Sequence, residues 1–242
     1  MKHEPKAVDQ YFVRTQKIID EHGIMVQWVA AGEGSLAFAY TVGLAAHGKP
    51  ELLIYGLPPD TAQSILNDMA LPIEDANWKP GLSRQIFGDG VPALLVKIID
   101  SMDAEMTITN RMYAVPGQGP VDALQIVFPD AAGLWPWEEG SKVANQPVKG
   151  NIELATVNAG EIICPCGNYS RSDGFHPCDS EGATVEPTEE LWPEPLMACA
   201  SCGRIISVDG LEENRHRNTA IVIGQNRAHG LLYQPWPKGT QS

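Results

Sequence analysis

The sequence predicts an α+β fold: a mainly antiparallel sheet with flanking helices, followed by a small zinc-ribbon-like module. Three observations lead there. Segments of strand and helix character alternate through residues 1–150. The early strands are separated by short glycine turns, as in hairpins, and not by long crossovers. All five cysteines fall within residues 164–202. The chain accordingly divides into an α+β domain (1–150), a polar linker (151–160), a cysteine module (161–208) and a C-terminal strand and tail (209–242).

The first element is a helix over residues 7–22, AVDQYFVRTQKIIDEH. Val8, Tyr11, Phe12, Thr15, Ile18 and Ile19 share one face, and Gly23 stops it. MVQWVAA (25–31) and SLAFAYTVGL (35–44) read as two strands joined across Gly-Glu-Gly, and PELLIYGL (50–57) as a third, buried one. Pro58-Pro59-Asp60 opens a helix through TAQSILNDMA, with Ile65, Leu66 and Met69 inward. LPIEDANWKPGLS, rich in Pro and Gly, reads as a connection. VPALLVKIID (91–100) is a strand, AEMTITNRMYA contains a short helix, and ALQIVF (123–128) is a further strand. PDAAGLWPWEEG then closes the domain. Near the end, TAIVIG (219–224) is a strand too apolar to stand alone, expected to pack back on the first domain.

Composition bounds the function. The 242 residues are 43% hydrophobic, enough for a core, and carry 23 glycines and 19 prolines, which favour turns over a helical bundle. MKHEPKAVDQ lacks an apolar signal segment, and no run approaches the roughly 18 apolar residues a membrane span needs. The expectation is a soluble cytoplasmic protein, bacterial or, if phage-encoded, in the host. The net charge is −13. Residues 164–202 hold one base, Arg171, against seven acids. Such a module repels phosphates, so nucleic-acid binding is left to a tail patch of Arg215, Arg217, Arg227 and Lys238.

The cysteines occur as Cys-Pro-Cys-Gly (164–167) and Cys-Ala-Ser-Cys-Gly (199–203). Two close thiolate pairs suit a tetrahedral zinc ion with Zn–S bonds of about 2.3 Å. The glycine after each pair lets backbone N–H groups approach the sulfurs. Cys164, Cys166, Cys199 and Cys202 are therefore the expected ligands of a structural zinc, since four thiolates leave no open coordination position. The Cys-x-Cys spacing is tighter than the common Cys-x-x-Cys, which keeps His176 and Cys178 of GFHPCD as reserve ligands. Their plainer roles are loop residue and packed core thiol. ICPCGNYSRSDGFHPCD, EGATVEPTEELWPEPL and CASCGRII together resemble a zinc-ribbon-like segment of small actinobacterial phage proteins. That resemblance implies a phage or prophage origin and no chemistry.

In the first domain, polar residues sit where strands end in Gly or Pro turns, common places for ligand-binding groups. Tyr40 and Thr41 precede Gly43; Glu51 follows a proline at the head of a buried strand; Asp130 precedes Gly133-Leu134-Trp135-Pro136-Trp137. Ligand-binding candidates are thus Tyr40, Thr41, Gly43, Glu51, Asp130 and Trp137. Glu51 and Asp130, with His22 or Tyr40, are the candidates for acid–base catalysis. Each has a plainer role: turn capping for the carboxylates, core burial for Tyr40 and the tryptophans, and interaction with a helix dipole for His22. EHGIMVQWV (21–29), AFAYTVGL (37–44), KPELLIYGL (49–57) and ALQIVFPDAAGLWPWEEG (123–140) resemble the bacterial family called domain of unknown function 4262. The resemblance covers roughly residues 8–150 and implies no activity; Trp135 stands where the family usually has phenylalanine.

No Gly-x-Ser-x-Gly elbow, Walker loop, His-Glu-x-x-His or dinucleotide glycine motif occurs, and the first domain has no cysteine nucleophile. Three functions follow in order of support. The first is non-catalytic binding of a small ligand or protein partner. The second is an enzyme using the carboxylates, which requires those groups to converge in one pocket. The third is nucleic-acid binding through the tail.

Overall fold

The computed structural model describes residues 5–33, 35–88, 91–98, 105–143, 146–170, 174–185, 196–208, 211 and 218–226. The chain forms two compact units, Met1–Asn151 and Ile152–Ser242.

The first unit runs α1 (Pro5–His22), β1 (Met25–Val29), β2 (Phe38–Val42), a 3-10 turn (Leu44–His47), β3 (Glu51–Tyr55), α2 (Pro59–Ala70), β4 (Gly81–Ser83), β5 (Ala93–Lys97), α3 (Thr107–Tyr113) and β6 (Ala123–Val127). Its six strands lie in the order β1-β2-β3-β6-β5-β4. Neighbours are antiparallel except β3 and β6, which run parallel. A parallel pair needs a long crossover, and α2, β4, β5 and α3 supply it. The α+β expectation, mainly antiparallel with flanking helices, describes this architecture.

Every residue of β2, β3 and β6 is buried. Strand side chains alternate between faces, so these strands feed two cores. Leu52 and Ile54 join Leu66 and Met69 of α2, while Leu53 and Tyr55 join Tyr40, Val42 and Ile19 of α1. Helices therefore cover both faces, and the run ELLIY is continuously apolar after its glutamate because neither face meets water.

One detail of this unit differs from the sequence expectation. β4 lies at the end of the segment read as a connection, where Gly81–Ser83 adds an edge strand to β5. Three residues of mixed polarity carry no periodic signal, so only the tertiary partner reveals them. Beyond the tryptophan loop the chain stays tied to this sheet. Gln125, fully buried on β6, donates to Pro147 O at 2.6 Å and accepts Lys149 N–H at 2.7 Å, holding the outgoing chain.

The second unit is a six-stranded antiparallel sheet ordered β8-β7-β12-β11-β10-β9. Its strands are β7 (Leu154–Asn158), β8 (Glu161–Ile163), β9 (Phe175–Pro177), β10 (Leu196–Cys199), β11 (Arg204–Ser207) and β12 (Thr219–Gln225). β7 falls within the segment read as a linker. LATVN carries buried Ala155 between less buried neighbours, and its edges bond to β8 and β12. The segment TAIVIG, expected to pack back on the first domain, is β12 at the middle of this second sheet, paired with β11 and β7. Its apolar character suits an interior strand that has neighbours on both sides. Arg171, Arg215, Arg217, Arg227 and Lys238 lie outside the described residues. Among the described residues no helix is long and apolar enough to cross a membrane.

Candidate metal centre and carboxylate sites

Two tight turns bring the four cysteines together. Cys164 follows β8, and Gly167 N–H closes its turn on Cys164 O at 2.8 Å. Cys199 ends β10, and Gly203 N–H closes the second turn on Cys199 O at 2.8 Å. Both glycines have positive φ, 88° and 73°, a conformation that L side chains resist. The Sγ atoms of Cys164 and Cys202 are 3.6 Å apart, those of Cys166 and Cys199 3.7 Å, and all four lie within 4.8 Å of one another. A tetrahedron with metal–sulfur bonds of about 2.3 Å has edges of about 3.8 Å. The four sulfurs could therefore hold one metal ion.

Two polar side chains approach the sulfurs. Asn168 Nδ2 reaches Cys199 Sγ at 3.3 Å and is anchored by Gly174 O at 2.5 Å. Arg204 bonds to Cys202 and is held by Glu153, with Nε–Oε1 at 2.9 Å and Nη2–Oε1 at 2.8 Å. Burial raises the Cys202 thiol, but the hydrogen bonds from Arg204 and neighbouring groups prevail and bring it down to about 7. Burial pushes Cys164 and Cys166 up. A bound cation would reverse those shifts by stabilising the thiolate form directly. Asn168 and Arg204 were not singled out from the sequence; an Asn two residues past a cysteine turn was the one available signal. The reserve ligands stay apart. Cys178 is buried with Leu196, Ala198 and Ile205, its thiol raised to about 11 by that burial, and His176 sits on β9 opposite Ala198.

In the first unit the candidates separate. Glu51 is 0% exposed and its carboxylate accepts four hydrogen bonds. Oε2 accepts from Thr41 Oγ1 at 2.6 Å; Oε1 accepts from Gly43 N–H at 2.9 Å, Ala45 N–H at 3.1 Å and Thr109 Oγ1 at 3.0 Å. Burial raises its pKa and those donors oppose the rise. Gly43 is required here: its φ is 129°, and a Cβ would sit 3.0 Å from Gly23 O. Thr41, Gly43 and Glu51 thus meet, joined by Ala45 and Thr109, which the sequence did not signal because Thr109 is 58 residues away.

Tyr40 is buried in the core beside Phe38, and its oxygen bonds with the Ile108 backbone and the Thr107 side chain. Burial pushes its hydroxyl up to about 12. Asp130 organises its own loop. Oδ1 accepts the N–H groups of Ala132 and Leu134 at 2.9 and 3.0 Å, and Oδ2 accepts Lys142 N–H at 2.9 Å. These bonds, Lys142 first, hold its pKa below the usual carboxylate value against partial burial. Trp137 stacks on buried Trp135, with centroids 5.3 Å apart and planes 5° apart. His22 is 61% exposed at the end of α1, its Nε2 3.9 Å from Glu21 Oε1. Neither His22 nor Asp130 contacts Glu51, so the four catalytic candidates do not form one constellation.

No curated protein and no solved structure matches the chain. A family model described as Domain of unknown function (DUF4262) matches residues 18–142. That match takes in β1 to β6, the Glu51 network and the Asp130 loop, more than half of the sequence, and the chain belongs to this family.

Proposed function

We propose that this is a non-catalytic binding protein for a small ligand or protein partner, with a second unit held by one structural zinc ion on Cys164, Cys166, Cys199 and Cys202. The observation that carries the zinc assignment is the clustering of the four sulfurs, all within 4.8 Å of one another. Four thiolates favour zinc over the hard cations, which take oxygen ligands. A saturated thiolate shell leaves no position for water or substrate, so the metal's role is to fold the module. The paired Cys-Gly knuckles support a zinc-ribbon-like module, and free thiols suit a reducing cytoplasm.

The non-catalytic reading is supported by the state of the carboxylates. Glu51 and Asp130 are each engaged by donors of the fold, at two separate places. A general base must reach a substrate proton; Glu51 has no exposure through which to do so, and the N–H groups around Asp130 lower its pKa and so its strength as a base. The deciding experiment is metal analysis of the full chain purified under reducing conditions. One zinc per chain, lost in Cys199→Ser, supports the reading; a metal-free protein, or iron with its visible charge-transfer bands, overturns it.

A further inference from the structure

The four cysteines of the metal centre are not equally placed. Cys164 and Cys199 are 2% and 0% exposed and Cys202 is half-buried, whereas Cys166 stands exposed in the first turn, between exposed Pro165 and Gly167. The fifth cysteine, Cys178, is buried among Leu196, Ala198 and Ile205 and stays apart from the cluster. One sulfur of the cluster therefore meets solvent first. Its neighbour across the site, Cys199 Sγ, is 3.7 Å away. A disulfide needs about 2.05 Å between its sulfurs, so this pair closes by a shift of less than about 2 Å.

We infer that Cys166 is a site of reversible oxidation by peroxide, which joins it to Cys199 and opens the metal centre. The inference rests on the structural-zinc reading above. Zinc has no redox chemistry of its own, so the electrons come from the sulfurs. Coordination keeps the ligands as thiolates, the form that attacks electrophiles. The Cys166 thiolate attacks one oxygen of hydrogen peroxide; the O–O bond breaks, hydroxide leaves, and Cys166 carries a sulfenic acid. The Cys199 thiolate then attacks the Cys166 sulfur; the S–O bond breaks, a second hydroxide leaves, and the S–S bond forms. Two thiolates have then lost two electrons, and one peroxide has become two hydroxide ions.

Charge selects the oxidant. Residues 164–202 carry seven acids and one base, so a neutral molecule such as hydrogen peroxide approaches more readily than an anionic oxidant. After one turnover only Cys164 and Cys202 remain as thiolates, short of the four ligands a structural site uses. Their sulfurs are 3.6 Å apart, and a second peroxide can join them in the same way, more slowly because Cys164 is buried. Metal binding contributes folding free energy. Oxidation therefore loosens Ile152–Ser242 and spares the first unit, which contains no cysteine.

The test uses the full chain, reduced, zinc-loaded and then freed of reductant, with hydrogen peroxide as the probe. Zinc released to a colour-forming chelator is followed while disulfides are mapped by mass spectrometry under non-reducing conditions. Expected are loss of the one zinc per chain, Cys166–Cys199 as the first disulfide, and recovery of bound zinc after dithiothreitol. In Cys166→His an imidazole can serve as the fourth ligand without an oxidisable sulfur. That variant should keep its zinc at peroxide concentrations that empty the native chain. Should Cys166→His bind no zinc, the disulfide map of the native chain decides alone. Four outcomes would each overturn the inference: zinc retained by the native chain under peroxide, a first disulfide that omits Cys166, a loss that dithiothreitol does not reverse, or a zinc-bound Cys166→His emptied as fast as the native chain. A chain with no zinc before peroxide is added fails the earlier zinc reading; a chain that starts with zinc and keeps it fails this inference alone.

Discussion

Thr41 and Glu51 complete each other: the Thr41 hydroxyl donates to Glu51 Oε2 at 2.6 Å while accepting the Leu52 backbone N–H at 2.8 Å. One hydroxyl thereby ties β2 to β3 and satisfies a carboxylate with no exposure. The bonds from Gly43, Ala45 and Thr109 add the 3-10 turn and α3 to the same point. Glu51 is best understood as the peg of the first unit.

Removal of the peg should be costly. Glu51→Ala strands four buried donors, and we expect a loss of about 3 kcal/mol or more in urea unfolding. Glu51→Gln should stay within about 1 kcal/mol of the native protein, because an amide NH₂ at Oε2 can donate to Thr41 while its oxygen keeps the other donors. Equal destabilisation by the two variants would show that the charge itself is needed.

The pH dependence has a definite sign. Burial raises the folded pKa of Glu51 above the ordinary 4.5. Its contribution to stability is therefore complete below 4.5 and declines as pH rises towards the folded value. Glu51→Gln lacks this decline, so its stability relative to the native protein should increase above pH 4.5, by at most ~1.4 kcal/mol per pH unit. Denaturant midpoints from pH 4 to 8, on the order of five points, would check it; a relative stability that falls with pH refutes the assignment.

Asp130 should behave in the opposite way. Its folded pKa is lowered from 3.8, so its support is present above that value and lost as pH falls through the folded one. The stacked Trp135–Trp137 pair should report the loop through near-ultraviolet circular dichroism. Asp130→Ala is expected to abolish that signal at neutral pH, with a loss of about 1–3 kcal/mol. A retained signal would mean the loop is held by packing alone.

Asn168 should tune metal affinity without being a ligand. Its Nδ2 approaches Cys199 Sγ at 3.3 Å, and loss of such an outer contact typically costs roughly 10–100-fold in affinity. Asn168→Ala should therefore release zinc to a competing chelator at least tenfold more readily, while one zinc per chain is still bound at saturation. Unchanged release would make Asn168 a turn residue only.

Chelation should act on one unit. A small sheet whose cysteine turns carry the metal gains folding free energy from it. Hydrogen exchange after zinc removal is expected to lose protection in Ile152–Ser242 and to retain it in β3 and β6. Loss of protection throughout would indicate that the first unit depends on the metal too.

The parts legible in the sequence are those decided over a few residues. Helical spacing of Thr15, Ile18 and Ile19 announced α1, apolar runs between glycine and proline turns announced β1 to β3, and the two Cys-Gly turns announced the sulfur cluster. Such features depend on local backbone geometry, and neighbours in the chain specify it. The tertiary structure alone decided the rest. It paired β3 with β6 in parallel, placed β12 inside the second sheet, gave Thr109 to Glu51 and held Asp130 apart from it. These outcomes depend on which distant segments exclude water together and which acceptors their donors then meet, and no window of neighbouring residues contains that information.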